Sequence, residues 1–254
     1  MTVDGRLLTV LGAMNEIGIC TVLDLHRATR ISRPAVHRIV ESLCGLGFVE
    51  RVPATSRFRL TSAVLRLSAG YRNENWIVET AVPMMNELQR LLRWPSSLAT
   101  PLQGQMIVRE TTRHRSPFVF DQGGVGFRLP MLASSLGLAY LAFENESTRA
   151  ATLELLASSP ERWDRIARDA AAARRLVKQT VARGFAFRKG GHTPLTSSIA
   201  VPIRTNDRAV GAICVTVLTS AVPYAKIIEE LLPPLRDAAA KIALSPHLDR
   251  GSGD

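Results

Sequence analysis

Residues 21–67 read TVLDLHRATRISRPAVHRIVESLCGLGFVERVPATSRFRLTSAVLRL, and the change of hydrophobic period inside this run decides the fold. Thr21 is placed to cap a short helix reaching Arg30, with Val22, Leu25 and Ala28 on one face. Ser32 is the next N-cap, Pro34 sits in the first turn, and Val36, Ile39, Val40, Leu43 and Leu46 form an apolar stripe. After Gly45 and Gly47 the period drops to two. Phe48-Val49-Glu50-Arg51, a turn over Pro53 to Ser56, and Arg57-Phe58-Arg59-Leu60 predict a hairpin.

Working outward, Leu7, Leu8, Leu11 and Met14 recur at helical spacing, and Asn15 to Gly18 supply a stop. Three helices followed by a hairpin make a winged helix-turn-helix, in which the third helix lies in a major groove of duplex DNA. Its outward positions are expected to be Arg33, Ala35, His37, Arg38 and Glu41. Strand alternation sends Phe58 and Leu60 inward and leaves Arg57 and Arg59 outside with Arg51, where a wing meets phosphates. The expected DNA contacts are therefore Ser32, Arg33, Pro34, His37, Arg38, Arg51, Arg57 and Arg59.

Composition is consistent with that partner. The chain has 254 residues, enough for two ordinary domains, and its 46% apolar and 21% charged content exclude disorder as the main theme. A net charge of +10 favours polyanions, because clustered cations release counterions from phosphates. Cys20, Cys44 and Cys214 stand far apart with no C-x-x-C pair, so neither a disulfide framework nor a zinc site is indicated, and a reduced cytoplasm fits. The opening MTVDGRLLTV carries an acid where a secretion signal has a basic region, and no apolar run approaches the ~18 residues that span a bilayer. No membrane partner is expected.

The rest of the chain predicts an α+β domain. Helices are expected to Leu92, over Ser134 to Phe143, Ser147 to Ala157, Pro160 to Arg183 and Tyr224 to Leu244. Strands are expected at Ser97 to Thr100, Met106 to Glu110, Pro117 to Phe120, Phe185 to Arg188, Ser198 to Ile203 and Val210 to Leu218.

The stretch from Leu7 to Leu67 resembles the DNA-binding domain of the IclR family of regulators, with Ser62 to Tyr71 standing where that family has a linker helix. The family has Gly where Arg30 stands, so a left-handed backbone there costs a non-glycine residue about 1–2 kcal/mol. GFRLPMLASSLGLAYLAF, SSIAVPIR and GAICVTV resemble the loop, helix and pocket strands of the same family's GAF-like effector-binding domain. The resemblance implies a winged helix-turn-helix over 1–61, a linker helix over 62–75 and an effector-binding domain over 76–247. It also implies a homodimer or homotetramer on a palindromic operator, RNA polymerase as a further partner, and a small carboxylate effector. No cofactor and no metal are implied.

By resemblance the effector contacts are Ser134, Ser135 and Leu136 at a helix start and Ser198, Cys214 and Thr216 on strands. Helix N-termini attract anions, and inward hydroxyls donate to carboxylates. Many members carry Cys where Ser198 falls and an acid where Arg188 aligns, which points to a different or more anionic ligand here. Together with GFRLP, RETTRHRSP from Arg109 to Pro117 resembles the branch that controls breakdown of aromatic acids such as hydroxyphenylpropionate. The effector expected is an aromatic or short-chain carboxylate, and Arg109, Arg128, Arg188 and His192 are the candidates to neutralise it.

Two motifs carry less than they suggest. Gly123-Gly124-Val125-Gly126 lacks the strand and helix context of a phosphate loop, and Ser197, Ser198 and His192 lack a nucleophile elbow, so catalysis is not expected. A small-molecule-binding module without sequence-specific DNA binding stays open as the alternative, as does an enzyme acting on aromatic acids.

Overall fold

The computed structural model describes residues 3–68, 76–118, 123–191, 193–205, 208–246 and 248. The chain divides into two compact units, Met1–Arg72 and Asn73–Asp254.

The first unit contains α1 (Val3–Ile17), α2 (Val22–Thr29), α3 (Arg33–Gly45), β1 (Val49–Arg51) and β2 (Phe58–Leu60). Thr21 and Asp24 form a reciprocal capping box at the start of α2. Arg30 ends α2 in the left-handed region (φ +59°, ψ +14°), donating its backbone N–H to the carbonyl of His26, so the non-glycine residue occupies the strained conformation. The His26 ring holds the same turn from inside, with Nδ1 2.7 Å from the Ile31 carbonyl. Ser32 stands at the N-cap of α3, yet its hydroxyl makes no cap hydrogen bond. Val10, Met14, Leu25, Val36, Val40, Leu43 and Phe58 fill the core between the helices and the hairpin. Backbone bonds between Cys20 and Phe58 (3.0 and 2.8 Å) add a third edge to the wing. Ala35, expected outside, is partly buried against this core. Ser62–Leu67 is a 3-10 helix capped by Thr61, and the remainder of the expected linker helix lies outside the described residues.

The second unit is an antiparallel sheet covered on both faces. Its strands are β3 (Ser96–Leu102), β4 (Gln105–Thr111), β5 (Arg128–Pro130), β6 (Ala186–Lys189), β7 (Thr196–Thr205) and β8 (Arg208–Leu218), in the order β5-β4-β3-β8-β7-β6. Five helices belong to it: α4 (Val82–Leu92), α5 (Ser135–Ala142), α6 (Glu146–Ser158), α7 (Ala170–Arg183) and α9 (Leu232–Ala243), with the single turn α8 (Tyr224–Lys226) before the last. Alternation sorts the faces. Leu98, Ile199, Val201, Ile213 and Val215 pack under α4 and α9, whereas Ala99, Ala186, Ala200, Ala212 and Cys214 face α5 and α7. The small side chains of that second face let α5 lie close to the sheet. An added Cβ on Gly137 would stand 2.2 Å from the Met131 carbonyl, so only glycine permits this approach.

Several elements differ from expectation for identifiable reasons. Ile77–Ala81 and Ile227–Leu231 are π-helical turns directly before Pro83 and the pair Pro233-Pro234. The wider turn accommodates the rings and missing N–H groups that would otherwise disrupt the helix. The single helix expected over Pro160 to Arg183 is broken at Asp169, which caps α7 by accepting from Ala171 and Ala172 after a 3-10 segment, Arg162–Arg168. Pro117 and Phe118 are not strand, residues 119–122 lie outside the described residues, and β5 was not expected.

Candidate functional site

In the first unit the side chains of Arg33, His37 and Arg38 are exposed on α3 beside Ser32 and Pro34, and Arg51, Arg57 and Arg59 are exposed on the wing. They differ in electrostatic partner. Arg51 is bonded to Glu41 of α3, and Arg59 Nε donates to Glu50 at 2.6 Å. His37 Nε2 is 3.9 Å from the same Glu41. Among the described residues Arg33, Arg38 and Arg57 form no ion pair, although the Arg57 charge acts at longer range on Asp24. The Arg51 guanidinium also lies 5.1 Å over the Phe58 ring, which ties the wing charge to the core.

In the second unit polar side chains gather on the small-residue face of the sheet. Arg188, Ser198 and Thr216 are register partners across β6, β7 and β8, and Cys214, Ser97 and Thr111 form the next row across β8, β3 and β4. Register partners share a face, so both rows look toward α5. Ser135, in the first turn of α5, meets Ser198 at 2.8 Å, and Arg188 Nε donates to that same Ser198 hydroxyl at 3.2 Å. Arg188 makes its other bonds to the Gly190, Thr193 and Thr196 carbonyls and to Thr196 Oγ1.

No carboxylate neutralises Arg188 among the described residues. Burial draws its pKa below the ordinary arginine value, yet a guanidinium stays charged, so the site is cationic. Arg113, on the 3-10 turn after β4, is shifted down by burial too, and its charge and that of Arg188 both act on Cys214. Burial nevertheless dominates the Cys214 thiol, whose pKa is pushed up to about 11, so it is a neutral weak donor at physiological pH.

The structure thus brings together Ser135, Arg188, Ser198, Cys214 and Thr216. Ser134 stands next to them, but its hydroxyl is committed to the helix, accepting from Gly137 N at 3.0 Å and donating to the Pro130 carbonyl at 2.7 Å. The Leu136 side chain is buried in the core, leaving only its first-turn amide for a ligand. Arg109 and Arg128 are not part of the cluster. Arg109 Nε donates to Thr100 at 2.8 Å, and Arg128 lines a separate notch with Arg162, Glu161 and Asp164. His192 lies outside the described residues. Arg113, Ser97 and Thr111 were missed in the sequence. A β-bulge shifts the β3–β4 register between Leu98/Glu110 and Ala99/Val108, and Arg113 lies beyond the strand on a 3-10 turn, where no strand pattern marks it.

Comparisons with known proteins agree with this division. Residues 5–53 match the IclR helix-turn-helix domain, and residues 70–244 match the bacterial transcriptional regulator IclR C-terminal domain. A glycerol operon regulatory protein of Streptomyces griseus is 28% identical over 225 residues, 87% of this chain and 86% of its own. An IclR homologue from Microbacterium hydrocarbonoxydans, solved with 4-hydroxybenzoate, has a TM-score of 0.63 at 24% identity, over 95% of this chain and 98% of its own. The Thermotoga maritima IclR has a TM-score of 0.61 at 16% identity, over 94% and 96% of the two chains. With both domain models matched in order along most of its length, the chain belongs to the IclR family of DNA-binding transcription regulators with a ligand-binding C-terminal domain.

Proposed function

We propose that the protein binds a palindromic operator as at least a homodimer and responds to a small aromatic carboxylate held between α5 and the sheet. Arg188 carries this reading: it is a half-buried cation with no acidic partner among the described residues, and it donates to the Ser198 hydroxyl that also meets Ser135. A carboxylate there would supply the missing charge, accept from Arg188 and Arg113, and exchange hydrogen bonds with both serines. Cys214 and Thr216 would border the aromatic ring, and the Leu136 amide would add a donor. On DNA, Arg33, His37 and Arg38 of α3 would face base edges, with Ser32 and Pro34 at the groove entrance and Arg51, Arg57 and Arg59 on phosphates.

The 4-hydroxybenzoate held by the Microbacterium hydrocarbonoxydans homologue supports an aromatic acid. The Streptomyces griseus relative favours a second reading, a polyol effector, so glycerol belongs in the same test. The protein is assigned to the cytoplasm, where its DNA lies and where its three cysteines stay reduced. It is assigned no catalysis, and RNA polymerase is its further partner at the promoter.

Titration calorimetry with benzoate, 4-hydroxybenzoate, 3-(3-hydroxyphenyl)propionate and glycerol tests the effector. Binding by an aromatic acid but not by glycerol is expected, and silence from every carboxylate ends the proposal. Footprinting of the region upstream of its own gene, with and without the acid that binds, identifies the operator.

A further inference from the structure

We propose that the cleft between α6 and α7 is a second ligand site, shaped for an amphipathic organic anion with an apolar body and one carboxylate or sulfonate head. The cleft encloses about 840 Å³, within the range of pockets that hold small organic ligands. Each wall is one helical face: Ala150, Leu153 and Ala157 from α6 and Ala173, Val177 and Val181 from α7, at intervals of three or four residues. So many short side chains leave the groove unfilled, and its floor is closed by Ala142 and Phe143 at the end of α5.

The charges around the rim select the sign of the occupant. Glu144 is committed, accepting from the backbone and side-chain amides of Asn145 and bonding Tyr140. Glu146 is paired with Arg149. Arg174, Lys178 and Arg204 remain against the single carboxylate of Glu154. The Arg204 guanidinium already lies 5.8 Å over the Phe143 ring, so a cation and an apolar wall meet at one end of the groove. An uncharged apolar ligand would leave these cations uncompensated, and a small inorganic anion would leave the apolar floor wet.

The cleft and the Ser135 cluster are joined by α5, whose first residue is Ser135 and whose last is Ala142, ~10 Å further along the axis. A ligand wedged against Ala142 and Phe143 therefore acts on the element that carries Ser135. This coupling rests on the effector reading above, whereas binding in the cleft does not.

The test uses decanoate on the full-length protein, followed by calorimetry, with decanol as the uncharged control. Ala150→Trp fills the groove from an exposed wall position, Lys178→Glu reverses a rim charge, and Ser198→Ala marks the other site. Melting curves establish that each variant is folded. The expected result is one decanoate per chain, decanol at least tenfold weaker, binding abolished by Ala150→Trp, weakened at least tenfold by Lys178→Glu, and unchanged by Ser198→Ala. Decanoate that fails to bind, that binds no better than decanol, or that ignores Ala150→Trp overturns the proposal. So does loss of decanoate binding on Ser198→Ala, which would place it in the sheet cluster. A dimer that dissociates on Ala150→Trp would assign the groove to a second copy and overturn it too. Aromatic acid binding retained in Ala150→Trp keeps the two sites separable.

Discussion

The hydroxyls of Ser135 in the first turn of α5 and Ser198 on β7 lie 2.8 Å apart, so the helix start is tied to the sheet by one hydrogen bond. A carboxylate entering beside Arg188 has to replace or share that bond. Ser198→Ala is expected to weaken aromatic acid binding at least about tenfold, since a hydrogen bond to a charged acceptor is worth about 1.5–3 kcal/mol. Arg188→Met removes a charged donor and is expected to cost about 1.5–3 kcal/mol. Calorimetry reads both, and equal affinities for wild type and Arg188→Met would remove Arg188 from the site.

Arg30 occupies a left-handed backbone that its Cβ opposes, and its N–H bond to His26 O holds it there. Arg30→Gly relieves the strain and is expected to stabilise the DNA-binding unit by about 0.5–1 kcal/mol after the extra chain entropy of glycine is counted. Arg30→Val is expected to destabilise it. Thermal melting followed by helix ellipticity distinguishes the two signs.

The wing arginines are expected to separate by their partners. Arg57→Ala weakens all DNA sequences alike and lowers the salt slope by about 1, whereas Arg33→Ala or Arg38→Ala costs about 1–3 kcal/mol at the operator if the side chain reads a guanine edge. Glu50→Gln releases Arg59 from its 2.6 Å pair and is expected to strengthen binding while steepening the slope. Salt-dependent anisotropy measures each effect, and an unchanged slope in Glu50→Gln would count against Arg59 as a phosphate contact.

Asp24 holds its carboxyl below the usual 3.8, because the backbone N–H and hydroxyl of Thr21 both donate to it. Its folded pKa is therefore lower than its unfolded one. The stability it adds is present above 3.8 and is lost as pH falls through the folded value. Asp24→Asn is expected to flatten the acid limb of the stability profile below about pH 4, measured by urea unfolding across pH.

Gly137→Ala would drive a methyl group to 2.2 Å from the Met131 carbonyl, a backbone atom that cannot rotate away. A loss of about 1–3 kcal/mol or more is expected, with weaker acid binding because α5 must lift from the sheet. Denaturation and calorimetry on the same preparation check both.

The winged helix was legible because its signals are local: the Thr21 cap, the stripe from Val36 to Leu43, and the change of period at Phe48. The α+β order was legible for the same reason, as was the Gly184 stop of α7. What escaped depends on pairing. β5 is three residues at a sheet edge with no run long enough to show alternation. The bulge in the β3–β4 pairing exists only because the two strands lie side by side, and Arg113 sits on a turn after β4 that carries no strand period of its own. The π-turns before Pro83 and Pro233 are local responses to proline that a simple helical period does not express.

Arg188 spends most of its donors on uncharged oxygens: Ser198, Thr196 Oγ1 and the carbonyls of Gly190, Thr193 and Thr196. Its hydration shell has therefore been partly stripped during folding rather than at the moment a metabolite arrives. An acid needs only to outcompete dipoles with an ion, so the fork is preorganised and neutral isosteres of the same shape are discriminated against. Because the Gly190 and Thr193 carbonyls belong to the β6–β7 turn, an anion docking on Arg188 would loosen its grip on the hairpin, and recognition would pass into the main chain as slack.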